Sequence, residues 1–174
     1  MKIKTTAFGH MSCAGKGVPG MSVICILIVA SVFFGDLWIK NRIEKYISAK
    51  GGEKERELAG GKLLIRRHHN RGLMLNLGEK KSSLAAALSL SLTAVLTLVF
   101  IVSLGRKGSG LLRVGLALLL GGAFSNTYDR LKRKYVVDYL SFPVKWKRLR
   151  SIVFNISDFC IMIGALLCVL GAAE

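Results

Sequence analysis

Negative charge is what this chain has least of. Ten Asp and Glu stand against 26 Lys and Arg in 174 residues, a formal net charge of +16. That balance would suit a nucleic-acid binder, but no basic helix or aromatic-basic motif accompanies it, so no nucleic acid is expected as a partner. Cysteine is sparse, with Cys13, Cys25, Cys160 and Cys168. Three of these lie inside apolar runs, where Cys behaves as a small hydrophobe, and their spacing suits neither a metal site nor a disulfide framework. No Ser-His-Asp or Cys-His arrangement is present, and no metal or cofactor is expected. His68 and His69 have no further ligands beside them and read as part of a solvated loop. Proline occurs only as Pro19 and Pro143. Matched halves carrying spans broken by Gly or Pro, as in many transporters, are absent.

What the chain does have is apolar length. It is 52% hydrophobic, its mean hydropathy is +0.46, and its charges avoid four long apolar stretches. That segregation marks an integral membrane protein. The spans are expected at about 20–40, 82–104, 110–128 and 151–173, each near the roughly 20 residues that cross a ~30 Å hydrocarbon core. The first run has no small-x-small cleavage site and reads as a retained anchor. A basic tail, 1–19, precedes a single four-helix membrane domain, 20–174, with an extramembrane insert at 41–81. Within that insert Gly51 to Glu57 reads as a turn and a solvated charge run, and Lys62 to Arg67 as a short strand. Gly105 to Ser109 is a tight turn. Ser141 to Arg150 mixes Phe142 and Trp146 with basic residues, which suits a segment lying in the interface.

Polar side chains stand out inside such spans, because an Asp at a span centre costs about 2.5–3.5 kcal/mol on insertion scales. They are Asp36 near the end of span one, Asn126, Asp129 and Arg130 at the end of span three, and Asn155 and Asp158 at the start of span four. Span direction gathers all of them at one membrane face. Asn126, Asp129 and Arg130 share a helical face by spacing, as do Asn155 and Asp158. Gly115, Gly122 and Ala123 permit close helix approach below them. Two carboxylates sharing a wet site are pushed to different protonation states, and such a pair can run acid/base hydrolysis. The same residues could equally serve as paired interfacial charges and interhelical hydrogen bonds.

The ordered motifs resemble those of the type II (lipoprotein) signal peptidases of bacteria, from about Val23 to Gly171. They are Asp36-Leu-Trp-Ile-Lys40, Asn70-Arg-Gly72, Gly121 to Arg130 with Asn126 and Asp129 inside it, Val136-Val137-Asp138-Tyr139, and Phe154-Asn155-Ile156-Ser157-Asp158. The resemblance implies an α-helical integral membrane protein of four transmembrane helices, with a small extracytoplasmic β-cradle and an interfacial helix. It implies an aspartic endopeptidase of the bacterial cytoplasmic membrane that cleaves diacylglyceryl-modified prolipoproteins just before the lipidated Cys. It carries the catalytic pair onto Asp129 and Asp158. Asp36, Lys40, Asn70, Gly72, Asn126, Arg130, Asp138 and Asn155 become supporting or substrate-binding residues. Ser125 stands where the family usually has Gly, Ser157 where it has Ala, and Leu75 where Phe is common.

Orientation is set by two opposed signals. Most Lys and Arg lie on the motif-bearing side, which the positive-inside rule would make cytoplasmic. The resemblance puts that side outside, with the excess charge on anionic lipid headgroups. The second arrangement is expected, and so is a monomer. The alternative function is a non-catalytic membrane assembly or lipid-binding protein whose Asp and Asn only pack helices.

Overall fold

The computed structural model describes residues 19–49, 56–58, 60, 63–72, 82–106, 109–144 and 152–173. Its elements in chain order are α1 (Pro19–Ala49), β1 (Arg56–Leu58), β2 (Leu63–Asn70), α2 (Ser82–Gly105), α3 (Gly110–Lys132), β3 (Val136–Ser141) and α4 (Ile156–Ala172). Among the described residues three helices are long and apolar enough to cross a membrane, over Gly20–Tyr46, Ser82–Gly105 and Gly110–Lys132. The fourth, α4, is apolar but has 17 residues, at the lower limit for a span. It starts five residues later than the expected fourth span because Asn155 caps it. The Asn155 side chain accepts the Asp158 N–H, and the Asp158 carboxylate accepts the Asn155 N–H, a reciprocal box that fixes a helix start.

α1 runs past its expected end at Lys40 and reaches Ala49. Its 31 residues make a rod of about 46 Å at 1.5 Å per residue, well beyond the hydrocarbon thickness. The extra turns are polar and are held by the sheet, through Glu44 to His69 at 2.6 Å.

α3 is the hub and packs against all three other helices. Glycine makes this possible. A Cβ on Gly122 would lie 2.6 Å from the Ser157 carbonyl oxygen on α4, and one on Gly121 would lie 2.8 Å from Val32 Cβ on α1. The core beneath the polar site is Cys25, Phe100, Leu116, Ala117 and Leu120. The outward faces of α1, α2 and α4 stay apolar and exposed, for example at Phe34, Leu98 and Val169, as lipid-facing helices must be.

The sheet has the order β1-β2-β3, all antiparallel. β2 is longer than the expected Lys62 to Arg67 strand and takes in His68 and His69, so the histidines sit on a strand and not in a solvated loop. β2 pairs with β3 through His68 opposite Asp138 and Asn70 opposite Val136, with a register shift between Ile65 and His68. α3 passes into β3 through Lys134, whose φ of 69° is the left-handed conformation that ends helices. Phe154 then bonds both Tyr139 and Leu140 N–H groups through its carbonyl, at 2.8 and 2.7 Å, which delivers the chain to the start of α4. The expected interfacial helix falls largely on residues 145–150, outside the described residues. So do residues 1–18, Gly51 to Glu55 of the charge run, and Leu75.

Candidate active site

A cavity of about 680 Å³ lies where the sheet meets the ends of α3 and α4. Strand alternation decides what faces it. Val136 and Asp138 of β3 line it together with His68 and Asn70 of β2, while Val137 and Tyr139 turn away. Asn126 and Arg130 of α3 and Asp158 of α4 complete the polar end. The remaining wall is mostly apolar, with Leu92, Ile161 and Met162, and also includes Ser89 and Thr93 of α2.

Among the described residues two carboxylates therefore line the cavity, Asp138 and Asp158, and one residue holds both. The Asn155 amide donates to Asp138 Oδ1 at 2.7 Å, and its backbone N–H donates to Asp158 Oδ2 at 3.0 Å. Asn126 donates to Asp158 Oδ1 at 3.0 Å, and Asn70 reaches Asp138 Oδ2 at 3.3 Å. Asn70 is itself held: it accepts the Gly72 N–H at 3.1 Å, and Arg130 bonds the Gly72 carbonyl at 3.2 Å. Burial first, and the charge of Asp158 second, push the Asp138 carboxyl up to about 7, as expected for a second carboxylate in a confined site.

Asp129 goes elsewhere. It is fully buried and is absent from the cavity wall. Its Oδ2 lies 3.1 Å from Lys40 Nζ and accepts the Val137 N–H at 3.2 Å. Arg133 Nε lies 3.3 Å from its other oxygen, an ion pair without hydrogen-bond geometry. Lys40, also fully buried, is 2.8 Å from Asp36 and donates to Asn126 Oδ1 at 2.9 Å. Asp36 accepts Ser125 at 2.6 Å, Ser157 at 2.5 Å and the Tyr139 hydroxyl at 2.8 Å. Burial and the Asp36 charge push the Tyr139 hydroxyl up, so it remains a donor.

A family model for signal peptidase (SPase) II matches residues 28–173. The chain belongs to the signal peptidase II family. Among curated relatives, the lipoprotein signal peptidase of Caldicellulosiruptor bescii is 30% identical over 141 residues, covering 81% of this chain and 85% of that protein. That of Geobacillus thermodenitrificans is 31% identical over 153 residues, covering 84% and 87%. The match to the Clostridium tetani enzyme, 30% identical, spans 58% of this chain and 63% of the relative's length. A bacterial membrane enzyme structure solved by the in meso method at 2.3 Å resolution has the same fold, with a TM-score of 0.69 over 93% of each chain at 22% identity.

All ten residues singled out in the sequence fall in one connected network, but they divide. Asn70, Asn126, Arg130, Asp138 and Asp158 line the cavity. Asp36, Lys40, Asp129, Gly72 and Asn155 lie behind it as its support. Tyr139, Arg133, Ser125 and Ser157 complete the support and were not singled out as site residues. Tyr139 was within reach of sequence reasoning, since one step along a strand from Asp138 must point to the opposite face.

The charges add a further constraint. Asp36, Asp129, Asp138 and Asp158 share this region with Lys40, Arg130 and Arg133. Among these seven groups four carboxylates face three cations, and a proton on Asp138 balances them, with His68 on the same cavity wall outside that count.

Proposed function

We propose that the chain is an aspartic-type endopeptidase that removes the signal peptide from diacylglyceryl-modified prolipoproteins just before the lipidated Cys, with Asp138 and Asp158 as its catalytic pair. The observation that carries this reading is that these two carboxylates line one cavity and are bridged by Asn155, while Asp129 is consumed by buried ion pairs. Neutral Asp138 donates a hydrogen bond to the scissile carbonyl oxygen. Ionised Asp158, whose contacts are N–H donors, takes a proton from water as its oxygen attacks the carbonyl carbon. The tetrahedral adduct collapses, the C–N bond breaks, and Asp158 returns its proton to the departing amine. Asn70, Asn126, Asn155 and Arg130 hold the two carboxyl groups in place. The apolar wall at Leu92, Ile161 and Met162 suits the acyl chains and apolar signal segment of such a substrate.

This reading includes a monomer that forms one membrane domain over 20–174, with a basic tail at 1–19 and the insert at 41–81. It places α4 as a fourth span in the bacterial cytoplasmic membrane and the cavity at the extracytoplasmic face. The basic residues near the C-terminal end of α1 and after β2, such as Arg42, Lys45 and Arg71, then meet anionic headgroups. The face is tested with single Cys probes at Glu57 and Gly105 in a Cys-free background, labelled on intact cells with an impermeant thiol reagent. Labelling at Glu57 alone supports the outward site; labelling at Gly105 alone overturns it.

The function is tested with the purified chain in detergent and a diacylglyceryl-modified precursor. Shortening by the wild-type protein, slowed by about 10²-fold or more in Asp138→Asn or Asp158→Asn, is the expected result. Near-wild-type activity in either variant removes the pair from the mechanism.

A further inference from the structure

The two serines that depart from the family pattern converge on a single atom. Ser125 Oγ donates to Asp36 Oδ2 at 2.6 Å, and Ser157 Oγ donates to the same oxygen at 2.5 Å. Both are fully buried, and the short distances are those of hydroxyls bonded to an ionised carboxylate. Ser125 also accepts from Lys40 Nζ at 3.1 Å, so its single proton is free to go to Asp36.

Their sequence neighbours give these bonds a purpose. Ser125 precedes Asn126, which donates to Asp158. Ser157 precedes Asp158 itself and sits in the first turn of α4. The α3 and α4 backbones touch at this level, at Gly122 and Ser157. Asp36 thus lies behind the site on α1 and grips α3 through one hydroxyl and α4 through the other. Its further tie to α4 is less direct, through Tyr139, whose hydroxyl donates to Asp36 Oδ1 and accepts the Ile156 N–H at 3.2 Å.

We infer that Ser125 and Ser157 form a paired positioning device, a hydroxyl bridge through Asp36 that fixes the start of α4 against α3 and thereby sets where Asp158 stands. The bridge rests on the catalytic reading above only in its kinetic consequence; its structural consequence is independent. A bridge is cut by removing either end, so the two serines act as a unit, and removing the second adds little once the first is gone.

The test uses the full chain in detergent with Ser125→Gly, Ser157→Ala, the double variant and Ser157→Cys, which keeps the side-chain shape but donates weakly. Each single variant is expected to lower kcat about tenfold, the loss of one hydrogen bond to a charged group, with KM within about twofold. The double variant is expected to match the singles, and Ser157→Cys to behave as Ser157→Ala. Hydrogen exchange of the peptide covering 152–160 should accelerate in every variant, while that of 110–118 stays at the wild-type rate. Wild-type kcat in both singles overturns the inference. So do a double variant near one hundredfold, a loss confined to KM, and unchanged exchange at 152–160. If instead exchange accelerates as stated but Asp138→Asn still cleaves, the bridge stands and the assignment of the catalytic pair falls.

Discussion

Four aspartates lie in one connected network, and they are held in two different ways. Asp36 and Asp129 are bonded to Lys40, with Arg133 beside Asp129. Asp138 and Asp158 are held by side-chain amides and a backbone N–H. A cation beside a carboxylate locks in its charge, whereas an amide accepts either protonation state after a small change of orientation. The difference separates carboxylates that carry structure from carboxylates that can move protons.

The sharpest way to break this comparison is to neutralise one member of each pair. Asp138→Asn and Asp158→Asn are expected to lower kcat by about 10²–10⁴ with melting temperature little changed. Asp129→Asn is expected to keep measurable turnover, reduced about tenfold to one hundredfold through displaced neighbours. Equal loss in Asp129→Asn and Asp138→Asn, at equal stability, would erase the distinction.

Lys40→Met attacks the other side of it. It leaves Asp36 and Asp129 buried without their shared cation, and stability should fall by about 3–5 kcal/mol, read as loss of folded protein in detergent melts. A folded, active Lys40→Met would show that the ion pairs are dispensable.

The pH profile sharpens the comparison from within the cavity. In the proposed mechanism Asp138 must be protonated to bond the scissile carbonyl, and burial and the Asp158 charge push its carboxyl up to about 7. Asp138 is therefore in its active state below that pH, and activity is lost as pH rises through it, falling about tenfold per unit beyond, while Asp158 must stay ionised at the acid end. The sign for folding is the same: a pKa raised from 3.8 to about 7 contributes stability that is full below pH 4 and lost as pH rises through 7. Rate and melting profiles from pH 5 to 9 check both. His68 lies opposite Asp138 in the strand pair, so the limb must persist in His68→Gln.

The smallest effect is expected at the outer end of α1. Glu44 is paired with His69 and Arg67 at part-exposed positions, and Glu44→Gln should cost about 0.2–1 kcal/mol. A melting shift of a few degrees at most checks it.

Much of this was legible in the sequence. Apolar length gave the helices, the polar residues inside the spans gave six members of the network, and the resemblance added Lys40, Asn70, Gly72 and Asp138. What was not legible was which Asp faces the cavity. Asn126, Asp129 and Arg130 do share a sector of α3, but at 3.6 residues per turn Asp129 and Arg130 are about 100° apart. The cavity takes Asn126 and Arg130, and Asp129 turns toward Lys40 on α1. Placing Asp138 required the pairing of β3 with β2, a contact between segments 68 residues apart in sequence. The cap at Asn155 likewise shortened α4 for a local reason that hydropathy does not register.

The two ion-paired aspartates share one further property. Asp36 has Lys40 four residues on in α1, and Asp129 has Arg133 four residues on at the end of α3. Each helix thus carries its own counter-ion before any other helix is present. During biosynthesis α1 and α3 can leave the aqueous translocation channel as electrically matched segments, and neither needs the other to offset a bare carboxylate. Asp138 and Asp158 have no such cation four residues on, where Phe142 and Met162 stand instead. They come together only where the strands pair and α4 docks, so the proposed catalytic pair needs the assembled fold.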